Sequence, residues 1–193
     1  MKKSSYHSAL KKELDINNSI SYYENEDSYV IQHDINQGIH PLFYKAKAIY
    51  SEPAWNDGYN LFIKRAGTAQ VGNFKQYLES VSSTISILNI PSFIVMGKQM
   101  IKSLNPQQTV EIKLHGYKCY LGIWNAGLIK VTDNNSAIDI IADTYNYILD
   151  FSCGYGNLAD KMTLRNKKFI CSDINGKCLY YIAKSFMAFE AYV

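Results

Sequence analysis

The stretch Tyr147-Ile-Leu-Asp-Phe-Ser-Cys-Gly-Tyr-Gly-Asn-Leu-Ala-Asp-Lys-Met162 sets an acid, Asp150, at the end of an apolar run. Two glycines, Gly154 and Gly156, follow at once. Glycines after a strand let the backbone turn tightly and let a ligand approach where a Cβ would clash. A helix starting there turns free N–H groups toward the same cleft. Cys153 lies inside this turn and is read with the cofactor-binding residues, where it packs. Downstream, Lys168-Phe-Ile-Cys-Ser-Asp173 is a second apolar run ending in an acid. An acid at that tip can accept both hydroxyls of a ribose. Together the two motifs imply a nucleoside-bearing cofactor lying across two strand ends.

The glycine turn formally fits the dinucleotide fingerprint G-x-G-x-x-A, from Gly154 to Ala159. A pyrophosphate on that turn would meet Asp150. An acid there instead suits a cation, such as the ammonium and sulfonium of S-adenosylmethionine (SAM). A nicotinamide enzyme remains the lesser alternative. Far upstream, Ala48-Ile-Tyr-Ser-Glu-Pro-Ala-Trp55 ends a third apolar run in an acid, a proline and an aromatic, followed by Asn56-Asp57-Gly58. Such a grouping can hold a flat ring against a reactive centre.

The elements that must position these residues are legible from periodicity. Strands are expected at Tyr29–Ile31, ending near His33 and Asp34, then at Lys47–Tyr50, Ser92–Met96, Tyr147–Phe151 and Lys168–Ser172. Thr109–Leu114 and Tyr117–Trp124 read as a hairpin about His115-Gly116. Phe74, Tyr77, Leu78, Val81 and Ile85 recur at helical spacing within Asn73–Leu88. Shorter helices are expected at Gln99–Leu104, from a Ser136 cap to Ala142, after the glycine turn and at the end of the chain. The expected fold is α/β, with a mainly parallel seven-stranded sheet covered on both faces. Residues 1–28 are polar and are expected to form an N-terminal arm, with a short helix near Ser8–Leu14. Residues 29–193 then form a single domain.

Bulk properties narrow the function. The chain has 193 residues, 47% hydrophobic and 19% charged, enough for one buried core. Its net charge of +3 permits nucleic acid as a partner without arguing for it. The four cysteines form no C-x-x-C pair and no cluster with zinc-ligand spacing, so reduced thiols and no metal site are expected. No apolar run reaches the roughly 20 residues that span a bilayer. No signal peptide is visible, and a cytoplasmic location is expected.

The glycine turn and Asp173 resemble motif I and the following acidic motif of Rossmann-like SAM-dependent methyltransferases. Ser51-Glu52-Pro53-Ala54-Trp55 resembles their motif IV, usually Asp-Pro-Pro-Trp or Asp-Pro-Pro-Tyr in amino-group methyltransferases. The acceptor motif precedes the cofactor motif, the circularly permuted order of β-type adenine and cytosine-N4 DNA methyltransferases, of the mRNA adenine methyltransferase family and of small phage-encoded DNA adenine methyltransferases. The resemblance implies a Rossmann-like methyltransferase sheet with a C-terminal-type hairpin, SAM as cofactor, and methyl transfer to adenine N6 in DNA. RNA and free nucleotides stay open as substrates, as do a homodimer or a partner subunit for target recognition.

Carried over residue by residue, the resemblance makes Glu52 the side-chain acceptor for the amine. The Pro53 carbonyl is the second acceptor and Trp55 the stacking platform. Asn56 and Asp57 line the entry, Lys64 and Arg65 meet phosphates, and Asp34 contacts the cofactor's adenine. Two positions depart from the pattern. Ala54 replaces a proline, and Glu52 replaces a shorter residue, moving the carboxylate by about 1.5 Å, one C–C bond. An error near 1 Å costs roughly 100-fold in rate. A SAM-binding protein that does not methylate is therefore the alternative reading.

Overall fold

The structure, a computed structural model, describes residues 12–13, 20–25, 27–53 and 73–190. Among the described residues nine strands form one sheet: β1 (Lys12–Glu13), β2 (Ile20–Asn25), β3 (Ser28–Gln32), β4 (Ala48–Ser51), β5 (Ser92–Met96), β6 (Gln108–Leu114), β7 (Tyr117–Trp124), β8 (Tyr147–Asp150) and β9 (Lys168–Asp173). The α-helices among the described residues are α1 (Phe74–Leu88), α2 (Lys98–Ser103), α3 (Asn134–Thr144), α4 (Asn157–Thr163) and α5 (Gly176–Glu190). The order across the sheet is β1-β2-β3-β9-β8-β4-β5-β7-β6. The five strands from β3 to β5 in that order are mutually parallel. β7 runs antiparallel to both β5 and β6, which makes the hairpin an edge of the sheet.

The sheet thus carries two strands more than the seven expected, and both come from the polar segment before residue 29. β2 pairs antiparallel with β3, with Ser21 and Tyr22 buried, and β1 pairs with β2. Lys12 and Glu13, inside the expected Ser8–Leu14 helix, are strand. The other residues of that stretch lie outside the described residues. β2 shows no clean period-two pattern because its register against β3 shifts between Ser21 and Tyr23.

Alternation along the parallel strands builds two cores, one on each face. Val30, Tyr50, Phe93 and Ile148 face α3, α4 and α5. Ile31, Ile49, Ile94 and Leu149 face α1 and α2, whose Tyr77, Val81, Ile85 and Ile101 complete that layer. Side chains pointing to opposite sides at successive residues are what a pleated strand buried on both faces requires. α3 starts earlier than expected. Asp133, not Ser136, is its cap, and the Asp133 Oδ1 accepts from the Ser136 N–H at 2.9 Å. Asn134 and Asn135, which precede the expected Ser136 cap, are therefore in its first turn.

The turn from β8 into α4 needs its two glycines for different reasons. Gly154 has φ +51, and a Cβ there would meet nothing within 4 Å. Gly156 has φ +86, and a Cβ there would lie 2.8 Å from Ile182 Cγ1 on α5. Gly154→Ala is expected to cost about 1 kcal/mol, the strain of a left-handed residue. Gly156→Ala adds overpacking and is expected to cost about 2–3 kcal/mol. Urea denaturation of the two variants checks the order; equal losses would contradict this packing.

Candidate active site

β3, β9, β8 and β4 present their carboxyl ends side by side. The chain reverses its direction of progress across the sheet between β8 and β4, since β9 lies on one side of this pair and β5 on the other. Such a switch point opens a crevice above the strand ends. A cavity of about 600 Å³ lies there. Its lining includes Asp34 after β3, Asp173 at the end of β9, Asp150 at the end of β8 and Glu52 after β4. Cys153 and Gly154 line it as well, while Gly156 is packed under α5 instead. Pro53 is buried next to Glu52. Trp55, Asn56, Asp57, Lys64 and Arg65 lie outside the described residues.

The three aspartates are held differently. Asp150 is 4% exposed, and its Oδ1 accepts from Ser51 Oγ at 2.8 Å and from the Ser152 N–H at 3.1 Å. Burial lifts its pKa to about 8 despite these bonds, and Glu52 and Asp173 add to the rise. Asp173 spends both oxygens on backbone. Oδ2 accepts from the Gly154 N–H at 2.9 Å and Oδ1 from the Asn175 N–H at 2.8 Å. It therefore ties the glycine turn to the tip of β9, and burial raises its pKa too. Asp34 caps the 3-10 turn Ile35–Gln37, with Oδ1 accepting from the Asn36 N–H at 2.9 Å. Its Oδ2 is buried and has no hydrogen-bond partner among the described residues.

Glu52 meets two residues that sequence reasoning did not single out. The Tyr50 hydroxyl donates to Glu52 Oε1. The Asn134 amide donates to the same oxygen at 2.5 Å. Tyr50 Oη also lies 2.8 Å from Asn134 Oδ1. Tyr50 is 1% exposed, and burial, with Glu52 beside it, holds its hydroxyl proton far above the ordinary range. From the opposite face of the sheet, Tyr77 of α1 reaches the glycine turn through Ser152 Oγ at 2.9 Å.

The remaining candidates do other work. Burial holds the Cys153 thiol protonated, and all four cysteines are free and buried. His33 bonds the Gly38 carbonyl at 2.8 Å and packs against His40 and Phe43. Burial lowers the pKa of both histidines, His40 to about 4. His115, at the tip of the β6–β7 hairpin, lines the cavity. Among the described residues no cluster of metal-ligating side chains forms, and no helix is long and apolar enough to cross a membrane.

No protein-family profile matches this chain, and no curated protein sequence does. Solved structures do match. M1.HpyAVI superposes with a TM-score of 0.52 at 11% identity, over 80% of this chain and 97% of its own. The M1.HpyAVI–SAM complex gives 0.51 at 12% identity, over 80% and 96%. TTHA0409 of Thermus thermophilus, designated a DNA modification methylase, gives 0.54 at 9% identity, over 81% and 93%. At these identities the likeness is one of fold, and it extends over nearly the whole of each of those chains: this protein has the α/β fold that they share.

Proposed function

We propose that this protein is a SAM-dependent methyltransferase acting on an exocyclic amine, adenine N6 in DNA. The observation that carries the reading is that Glu52, at the end of one strand, lines the same cavity as the glycine turn and the three aspartates. The likeness to M1.HpyAVI, whose structure has also been determined with SAM, and to a DNA modification methylase supports it.

The residues present fit a cationic cofactor. Four carboxyl groups line the cavity, and among the described residues no lysine or arginine does. A pyrophosphate would sit among those acids, whereas an ammonium and a sulfonium are drawn to them. The unpartnered Asp34 Oδ2 is a buried acceptor awaiting a donor, which the amine of an adenine supplies. The open space at the Gly154 Cβ position lets backbone approach a ligand closely. Asp173 fixes the glycine turn that forms the floor, and Asp150 faces the cationic end.

When bound, SAM supplies a methyl group on a positively charged sulfur. Transfer forms an N–C bond to the amine and breaks the S–C bond, whose electron pair stays on sulfur. The amine then sheds one proton. An exocyclic amine is a poor nucleophile because its lone pair is delocalised into the ring. The protein's contribution is positioning and fixed dipoles. Glu52 accepts one N–H and receives the departing proton, the Pro53 carbonyl accepts the other N–H, and Trp55 stacks on the ring. In duplex DNA the base must leave the stack first, at a cost of a few kcal/mol. Asn56 and Asp57 line its entry, and Lys64 and Arg65 meet phosphates.

Methyl transfer from labelled SAM to DNA tests the reading. Glu52→Ala and Trp55→Ala are each expected to lower kcat at least about 100-fold. Unchanged transfer in both would remove these residues from the site. SAM binding by calorimetry without transfer to any nucleic acid would instead leave a SAM-binding protein that does not methylate.

Asp150 gives an independent test. Its folded pKa of about 8 lies above the ordinary 3.8, so between these values the folded chain holds a proton that the unfolded chain has lost. Stability from this group is present below pH 4 and falls as pH rises through 8. Asp150→Asn, always neutral, escapes that loss. It is expected to be more stable than the wild type at pH 8 by at least about 1 kcal/mol, one pKa unit's worth, with the gap closing near pH 4. Above pH 8, where Asp150 is ionised, the same variant is expected to bind SAM at least about 10-fold more weakly, since the cation loses a carboxylate. Urea denaturation at the two pH values and calorimetry read the two effects separately.

A further inference from the structure

We infer that Tyr50 and Asn134 are positioning residues that set the Glu52 carboxylate for the acceptor amine. The inference rests on the methyl-transfer reading above. Glu52 is one methylene longer than the residue that the resemblance leads one to expect, so an unrestrained carboxylate would stand too far from the strand and sweep a wide arc. The structure answers this by tying one oxygen down. Tyr50 lies two residues before Glu52, and its hydroxyl donates to Oε1. Asn134, the first residue of α3, donates its amide to the same atom at 2.5 Å.

The assignment of the Asn134 amide follows from its neighbours. Turned over, it would press its oxygen against Glu52 Oε1 at 2.5 Å, an acceptor against an acceptor. With the nitrogen toward Glu52, Oδ1 lies 2.8 Å from Tyr50 Oη, and the one Tyr50 proton is shared between Glu52 Oε1 and Asn134 Oδ1. With the Asn134 N–H this draws Oε1 back toward the sheet. Both partners are rigid. Tyr50 is 1% exposed and Asn134 3%, each packed into the core shared by β4 and α3. Among the described residues Oε2 accepts no bond, and Glu52 is only half-buried on the cavity wall. One oxygen is the anchor and the other is left for the substrate. The pair thus offsets the extra methylene, so that a glutamate can serve where the strand end alone would favour a shorter acid.

Three variants test this: Tyr50→Phe, Asn134→Ala and Glu52→Ala, alone and in pairs, each checked for folding by circular dichroism. Tyr50→Phe and Asn134→Ala are each expected to lower kcat for methyl transfer to DNA by about 10- to 100-fold. The Kd for SAM and the KM for DNA should stay within about twofold, because the cofactor shelf is untouched. Combined with Glu52→Ala, neither should lower kcat further, since both act through that carboxylate. An unchanged kcat in a folded variant, or a loss appearing equally in SAM affinity, would overturn the inference. If Tyr50→Phe fails to fold, Asn134→Ala decides, as it sits at a helix end. If the wild type transfers no methyl at all, the methyltransferase reading fails by itself. The tie is then judged by melting temperature: Asn134→Ala should lower Tm less in the Glu52→Ala background than in the wild type, and equal shifts would overturn it.

Discussion

The hydrogen bond from Ser51 Oγ to the buried Asp150 carboxyl, at 2.8 Å, is the contact on which the site turns. It joins the ends of β4 and β8, the two strands between which the sheet reverses its winding. On one side of it stand the glycine turn, Asp173 at the end of β9 and Asp34 after β3. On the other stand Glu52 and Pro53. A carboxyl 4% exposed is an expensive group to keep at this junction, and its raised pKa is the measure of that cost. The strain is the usual signature of a group placed for binding rather than for stability. Removing the acid would relax the fold and disconnect the two halves of the cleft.

The junction is braced from both faces of the sheet. Tyr77 comes up from α1 on one face and holds the glycine turn through Ser152. Tyr50 and Asn134 come from the other face and hold Glu52. Because neighbouring residues of a strand point to opposite faces, Tyr50, Ser51 and Glu52 in succession reach the α3 side, the β8 tip and the cavity. The last two residues of a four-residue strand and the residue after it thereby serve three separate contacts.

Much of this was legible in the sequence. The glycine turn, the acids at strand ends and the parallel strands all follow from patterns only a few residues long. Asn134 was not legible because Asp133-Asn134-Asn135-Ser136 has the composition of a turn, and only the Asp133 cap makes it the start of a helix. Tyr50 looked like one more apolar residue of a buried strand, since nothing local says that its hydroxyl has a partner 84 residues away in Asn134. Asp173 carried the right type and place for a ribose acceptor; that its oxygens also accept from the Gly154 and Asn175 N–H groups is visible only once the turn is folded. Strand β2 was hidden for a different reason. Its register against β3 shifts between Ser21 and Tyr23, which breaks the period-two alternation that reveals central strands.

The pairing of β4 with β8 also sets the order in which the chain can become a protein. Ser51 and Asp150 are separated by 99 residues, and the β3–β9 partners Tyr29 and Ile170 lie farther apart still. During synthesis the acceptor strand emerges with β5 and the hairpin for company, while its other edge stays open until β8 has left the ribosome. Closing so long a loop is slow, and contacts of this span come late in folding. Nascent chains stalled before β8 would hold two part-sheets with the facing edges of β3 and β4 open, the kind of surface that chaperones recognise. The cleft, built only at that final closure, cannot engage a ligand on an unfinished chain.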